Sequence, residues 1–251
     1  MDRLAKMLYH LDVARERGLE IGPLDKPVVK RTDGREIYYC DYAPRHILRQ
    51  KSANDPTVNV DLIPDIDFVA PRITAETFGG IKFDYIIASH VIEHVPDMIG
   101  WIHALLASLN GTGRIVLAVP DRRYTFDYTR PLSTTGEFLQ AFFEKRASPS
   151  FSQIYNGFSQ AAKVDTLAAW ESPPSIAALE RYYTPEVSLS LAKHSFESGE
   201  YQDCHCWVFE CEMFLGLIRE LQSIGILKAK VLKHYAPVHG SNEFHVLLGH
   251  E

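Results

Sequence analysis

Polar residues fall at the ends of apolar runs along this chain. Glu20 stands beside Gly22 in GLEIGPLDKP. Asp41 closes EIYYCDYA, and Asp61, Asp65 and Asp67 follow TVNVDLI or lie at its end. Ser89, His90 and Glu93 follow FDYIIA, and Pro120 and Asp121 close RIVLAVPD. If the runs are parallel strands, these residues gather beyond the carboxyl edge of one sheet, where open α/β sheets bind ligands. Asp41 has a particular chemical use. The two oxygens of one carboxylate can accept both hydroxyls of an adenosine ribose. Its other reading is a turn aspartate that caps the helix beginning near Pro44. Alone, Asp41 fits both; Glu20, Gly22 and the third group of acids favour the ribose. The stretch Gly22-Pro23-Leu24 is unusual, because a nucleotide-binding turn would carry a second glycine where Pro23-Leu24 stand. Glycine lets backbone come close to a ligand, and proline removes a donor.

The elements that must hold these residues are legible from periodicity. Residues 2–17 have a helical pattern. GLEIG and EIYYCDYA read as strands, and PRHILRQK as a helix with Pro44 near its first turn. TVNVDLI reads as a third strand and ITAETFGG as a helix closed by glycine. FDYIIASHVIEHV begins as a fourth strand, apolar on both faces and therefore central. MIGWIHALLASLNGTG is an amphipathic helix and RIVLAVPD a fifth strand. This alternation predicts an α/β protein with a doubly wound sheet. Residues 128–202 read as a mostly helical insertion over the ligand edge. WVFECEMFLGLIRELQSIG then forms a helix, and LKAKVLKHYAP and NEFHVLLGH form two strands about a turn at Gly240-Ser241-Asn242. The expected organisation is a cofactor-binding domain over 1–127 and 203–251, with 128–202 as a helical lid over the substrate.

Composition narrows the function. The chain has 251 residues, 46% of them hydrophobic, enough for one sizeable core. Net charge is −6 and no long basic run occurs, which argues against nucleic-acid binding. No apolar stretch approaches the roughly 18 residues of a membrane span, and the first residues have no signal-peptide core, so a cytoplasmic location is expected. The cysteines are Cys40, Cys204, Cys206 and Cys211, three of them in DCHCWVFEC. One CxC beside one histidine falls short of a metal-ligand set, so reduced structural thiols and no metal are expected.

LEIGP, YCDYA, VDLIPDID, FDYIIASHVIEHVPD and LNGTGRIVLAVPDRRYTFD occur in order and at familiar separations. Together they resemble a class I S-adenosylmethionine-dependent methyltransferase of the small-molecule group, over residues 17–127 and more weakly at the terminal strands. The resemblance implies a Rossmann-like, seven-stranded sheet with an antiparallel terminal strand, and S-adenosylmethionine as cofactor. It matches Glu20, Gly22 and Pro23 to the cofactor loop and Asp41 to the ribose. Asp65, with the backbone of Ile66, matches the adenine contact. Ser89 and His90 match the segment beside the methionine part, and Glu93 and His94 the helix start after it. The departure at Pro23-Leu24 is read as a variant loop, because a zwitterionic methionine end does not need the row of N–H donors that a diphosphate demands.

Transfer of a methyl group from a sulfonium requires an aligned acceptor, exclusion of water and, for a hydroxyl, removal of a proton. His90 and His205 are the first candidates for that base, with His94 behind them. Arg122, Arg123 and Tyr124 in PDRRYTFDYTR could bind a charged group of the substrate; surface pairing of the arginines with Asp121 and Asp127 is the alternative. The expected activity is methylation of an O or N atom of a small molecule, with a sugar or saccharide intermediate suggested by analogy alone. The competing reading is a catalytically inactive binding or regulatory protein of the same fold. A dehydrogenase would want GxGxxG after the first strand, which GPLDKP does not supply. Aromatic helices in the insertion are a candidate face for a homodimer.

Overall fold

The computed structural model describes residues 1–32 and 34–251. Seven strands form one sheet: β1 (Gly18–Ile21), β2 (Ile37–Asp41), β3 (Phe68–Val69), β4 (Phe83–Ser89), β5 (Leu109–Pro120), β6 (Ala229–Tyr235) and β7 (Glu243–His250). Their spatial order is β3-β2-β1-β4-β5-β7-β6. β1 to β5 pair in parallel, and β7 runs antiparallel to both β5 and β6. The order reverses between β1 and β4, so the crevice for a ligand opens beyond the ends of these two strands.

The central strands form because their residues can be buried on both faces. In β4, Tyr85, Ile86, Ile87 and Ala88 are excluded from solvent. Burial of each large apolar side chain contributes roughly 1.5–3 kcal/mol. One face packs on α3 (Met98–Ala107) and α8 (Cys211–Ser223), through Ile99, Ile102, Leu105, Phe214, Ile218 and Leu221. The other face is covered by the loop after β1 and by α1 (Arg3–Leu8), through Val28, Val29 and Met7. Asp97 starts α3 by accepting the amide N–H of Gly100 at 2.8 Å. α2 (Arg45–Ser52) follows β2 directly.

Between β5 and α8 lie α4 (Thr135–Phe143), α5 (Phe151–Ser159), α6 (Thr166–Glu171) and α7 (Pro185–Ser198). α4 and α5 each begin with a reciprocal capping box, Thr134 with Glu137 and Ser150 with Gln153. Gln153 also donates to the carbonyl of Cys206 at 3.2 Å, which ties α5 to the extended segment before α8.

Several local expectations are corrected, among them that MIGWIHALLASLNGTG is helical only over Met98–Ala107, with Leu109–Gly113 opening β5, and that WVFECEMFLGLIRELQSIG is helical only over Cys211–Ser223. The N-terminal helix ends at Leu8, and turns fill the path to β1. Residues 73–80 form no helix; 75–80 are turns. The third strand is not TVNVDLI, which contains a single 3-10 turn over Val60–Leu62; it is the two-residue pair Phe68–Val69. Asp65 and Ile66 therefore precede β3 instead of following it.

Candidate active site

Gly22 ends β1 in the left-handed region, at φ +65°, and a Cβ there would lie 2.9 Å from Val91 Cγ2. Only glycine fits both the angle and the contact. Leu24 also has a positive φ, +43°. The turn thus keeps the backbone path that a second glycine would allow, although leucine bears a steric cost there. Pro23 is buried between them. The loop is fixed from behind. Glu20 accepts the N–H groups of Val28 at 2.7 Å and Val29 at 3.0 Å, and Asp25 accepts that of Asn59 at 3.0 Å. Burial pushes the Glu20 carboxyl up to about 7 against these two donors. Glu20 therefore shapes the loop and does not face the crevice with free oxygens. Lys26, exposed, donates to the carbonyl of Thr57.

Asp41 ends β2 and is 7% exposed. One oxygen accepts the amide N–H of Tyr42 at 2.7 Å, and its other oxygen takes no donor among the described residues. Burial pushes its carboxyl up to about 6. A buried acid with a free oxygen at this strand end fits a ribose diol, whose hydroxyls would supply the missing donors. Asp65 is exposed and pairs with Arg45 of α2 at 3.1 Å. The residues that follow β3 are Ala70, Pro71 and Arg72, so no carboxylate stands directly beyond that strand.

Beyond β4 the chemistry changes. Ser89 accepts a hydrogen bond from Arg3 of α1 at 2.5 Å. His90 has φ +53°, a conformation that a non-glycine residue adopts only when its surroundings hold it. Its Nε2 lies 2.8 Å from Glu243 Oε2 on β7. Burial works against ionisation of Glu243, but His245, His90 and Arg3 outweigh it and hold the carboxyl far below the usual range. His94 Nδ1 lies 3.1 Å from Asp203. Burial would lower His94, and the hydrogen bond and charge of Asp203 overcome this and push it up to about 9.

His205 arrives from the segment before α8. The N–H groups of Cys206 and Trp207 donate to the carbonyl of Glu93 at 2.7 and 3.2 Å, and Trp207 Nε1 donates to Val95 at 2.6 Å. These bonds bring His205, 8% exposed, against the turn after β4. Its Nδ1 lies 2.5 Å from Asp127, whose other oxygen pairs with the buried Arg130 at 2.7 Å. Burial opposes the Asp127 charge, but His205 and Arg130 outweigh it, and the carboxyl stays below its ordinary value.

His90, Glu93, His94 and His205 form one wall of a cavity of about 260 Å³, with Tyr124, Phe126, Val164, Thr166 and Tyr182 opposite or around them. Tyr124 is held by Trp170, ring centroids 4.2 Å apart and planes 3° from parallel. His90 and His205, far apart in sequence, thus meet in one pocket, and Tyr124 lines it. Arg122 and Arg123 do not line it. Arg122 pairs with Glu210 at 2.6 Å and with the carbonyl of Arg130, and Arg123 makes a two-pronged contact with the buried Asp121 at 2.8 Å. Their guanidinium groups are already matched within the chain, as the pairing alternative anticipated for Asp121. The residues missed by sequence reasoning are Asp203 and Glu243, which orient His94 and His90; Asp127 was read only as a partner for arginine, which it is for Arg130, and its bond to His205 was missed. No spacing could have joined Glu243 to His90, which are 153 positions apart.

Residues 2–170 match the family description "Methyltransferase domain". No curated protein matches the chain. Among solved structures, the chain is similar to a candidate Zn-dependent alcohol dehydrogenase from Rhodobacter sphaeroides, with TM-score 0.51 and 13% identity over 100% of this chain and 90% of that one. It is also similar to an S-adenosylmethionine-dependent methyltransferase from Clostridium acetobutylicum, with TM-score 0.44 and 7% identity over 93% and 83% of the two chains. A candidate S-adenosylmethionine-dependent methyltransferase from Listeria monocytogenes gives TM-score 0.47 and 11% identity over 99% and 96%. At these identities the likeness concerns the fold, and the function rests on the family match. On that match, which spans two thirds of its length, the chain belongs to the methyltransferase-domain family.

Proposed function

We propose that the protein transfers a methyl group from S-adenosylmethionine to an O or N atom of a small molecule held in the pocket beyond β4 and β5. The observation that carries this reading is the adjacency of two half-sites. The left-handed turn at Gly22 and the free oxygen of Asp41 end β1 and β2, and the next strand, β4, ends in the histidine-lined cavity. S-adenosylmethionine supplies the electrophilic methyl group when bound. The chain's own residues do the rest. Gly22, Pro23 and Ser89 shape the groove for the methionine part, and Asp41 accepts the ribose hydroxyls. The carboxylate-oriented imidazoles of His90 and His205 face the acceptor and assist loss of its proton.

Residues 128–202 act as the lid, since Val164, Thr166 and Tyr182 belong to this segment and line the cavity. A saccharide is the acceptor class that best suits the walls. Hydroxyl-rich rings need several polar partners and flat apolar faces, and here three imidazoles, Glu93 and Asn242 line the cavity together with Tyr124, Phe126 and Tyr182. The test is transfer of labelled methyl from S-adenosylmethionine to a panel of mono- and disaccharides, amines and phenols. Label in a saccharide, lost in His205→Gln, supports the reading. Label in phenols or amines alone refutes the saccharide assignment, and no label in any acceptor by protein that binds the cofactor favours the inactive, ligand-binding alternative.

A further inference from the structure

Glu93 is an anomaly. It lies in the 3-10 turn over Ile92–His94, is 0% exposed, and neither carboxylate oxygen has a hydrogen-bond partner among the described residues. A buried carboxylate without donors costs several kcal/mol unless a positive charge balances it. Three imidazole nitrogens surround its Oε1: His90 Nδ1 at 3.7 Å, His205 Nε2 at 3.9 Å and His94 Nε2 at 4.0 Å. These distances are too long for hydrogen bonds. They approach the spacing of atoms that share a cation, since ligands about 2.0–2.1 Å from a tetrahedral metal stand about 3.4 Å apart. The ligand atoms of Glu93, His94 and His205 all lie within 4.8 Å of one another.

The orientation of the rings points the same way. Each histidine presents one nitrogen to Glu93 and gives the other to a separate carboxylate: His90 to Glu243, His94 to Asp203 and His205 to Asp127. A carboxylate behind the imidazole is the usual support of a metal-bound histidine, because it fixes the ring and raises the basicity of the ligating nitrogen. The histidines and Glu93 also line the acceptor cavity, so a bound ion would keep an open position toward it.

We infer that Glu93, His94 and His205 bind a divalent transition-metal ion of the zinc class, with His90 beside its open face. Two histidines and one carboxylate with an open position suit zinc and its neighbours better than calcium or magnesium, which prefer all-oxygen sites. The role of the ion rests on the methyl-transfer reading: with the ion bound, His205 is a ligand whose two nitrogens are both engaged, and a hydroxyl of the acceptor at the open position would give its proton to His90. Binding of the ion does not rest on that reading. This departs from the sequence-based expectation of no metal, which weighed the cysteines and the one histidine of DCHCWVFEC.

The experiment is titration of chelator-treated protein with Co²⁺, read by visible absorption, and with Zn²⁺ by competition. S-adenosylmethionine binding is measured on the same samples. One equivalent of Co²⁺ is expected, with the intense bands of a four- or five-coordinate ion. Glu93→Gln is expected to weaken binding at least hundredfold. Asp203→Asn, at an exposed position that leaves the core intact, is expected to weaken it about tenfold. Cofactor binding should survive in both variants, which separates failure of the metal site from failure of the methyltransferase reading. Absence of Co²⁺ bands in folded protein, or equal Co²⁺ binding by wild type, Glu93→Gln and Asp203→Asn, would overturn the assignment.

Discussion

The loop after β1 and the turn after β4 lie at the ends of neighbouring strands, yet they treat their polar groups in opposite ways. In the β1 loop the acids are consumed by backbone. Glu20 takes two N–H groups and Asp25 takes one. In the β4 turn a fully buried acid has no hydrogen-bond donor among the described residues, and three imidazoles are held short of it by carboxylates behind them. The first arrangement is finished by the protein alone, so it sets shape. The second is finished only by something from outside, so it is where chemistry is expected. Asp41 lies between the two cases, with one oxygen satisfied and one open.

The largest expected effect falls on the unfinished side. With an acceptor that turns over, His205→Gln should lower kcat by about 10²–10⁴, the usual span for loss of help with the acceptor's proton, whether His205 gives that help itself or through an ion it holds. The cofactor Kd should change less than twofold, and an equal loss in both quantities would place His205 in the cofactor site instead. On the finished side the large effect is on stability. Glu20→Ala leaves the buried N–H groups of Val28 and Val29 without an acceptor, at about 1–3 kcal/mol each. Thermal unfolding should show a fall of several degrees, and an unchanged melting temperature would mean that the loop re-forms its bonds elsewhere.

Asp41 sharpens the comparison through pH. Its carboxyl is pushed up to about 6 from an ordinary 3.8, so in that window the folded protein binds more protons than the unfolded one. Its contribution to stability therefore falls as pH rises from about 4 to 6. Ribose binding requires the ionised form and runs the other way. The Kd for S-adenosylmethionine should be about tenfold weaker at pH 5 than at pH 8. Asp41→Asn should flatten this profile, bind more weakly at pH 8, and melt about 2–4 °C higher for each kcal/mol of removed burial cost. The smallest effect is expected at Leu24. Leu24→Gly removes the strain of a positive φ but also an apolar side chain packed toward Leu48 and Ile63, so stability should stay within about 1 kcal/mol. Cofactor affinity should stay within about threefold, and a large loss would show that the leucine side chain itself contacts the ligand.

Much of this frame is readable from residue order. FDYIIAS and RIVLAVP have no polar face, and an uninterrupted apolar run of that length becomes a central strand wherever it is placed. Asp41, Ser89, His90 and Asp121 were located at strand ends for the same reason. β3 was misplaced because its two residues carry no periodicity, and their strand state depends on pairing with Cys40 and Asp41. The arginines after β5 illustrate a different limit. Arg123 finds Asp121 two positions away, which spacing suggests, but Arg122 finds Glu210, 88 positions away. The orienting carboxylates of the histidines are long-range in the same sense, since Asp127 meets His205 across 78 positions. Local chemistry shows in a sequence, whereas a partner brought by the fold does not.

The cofactor reading depends on the Gly22 turn and Asp41 holding S-adenosylmethionine despite Pro23 and Leu24. Calorimetric titration of the purified protein with S-adenosylmethionine and S-adenosylhomocysteine, with Asp41→Ala in parallel, tests it most directly. Micromolar binding of both ligands is expected, abolished in the variant while its circular dichroism spectrum is unchanged. No binding of either ligand by folded wild-type protein, or equal binding by Asp41→Ala, would contradict it.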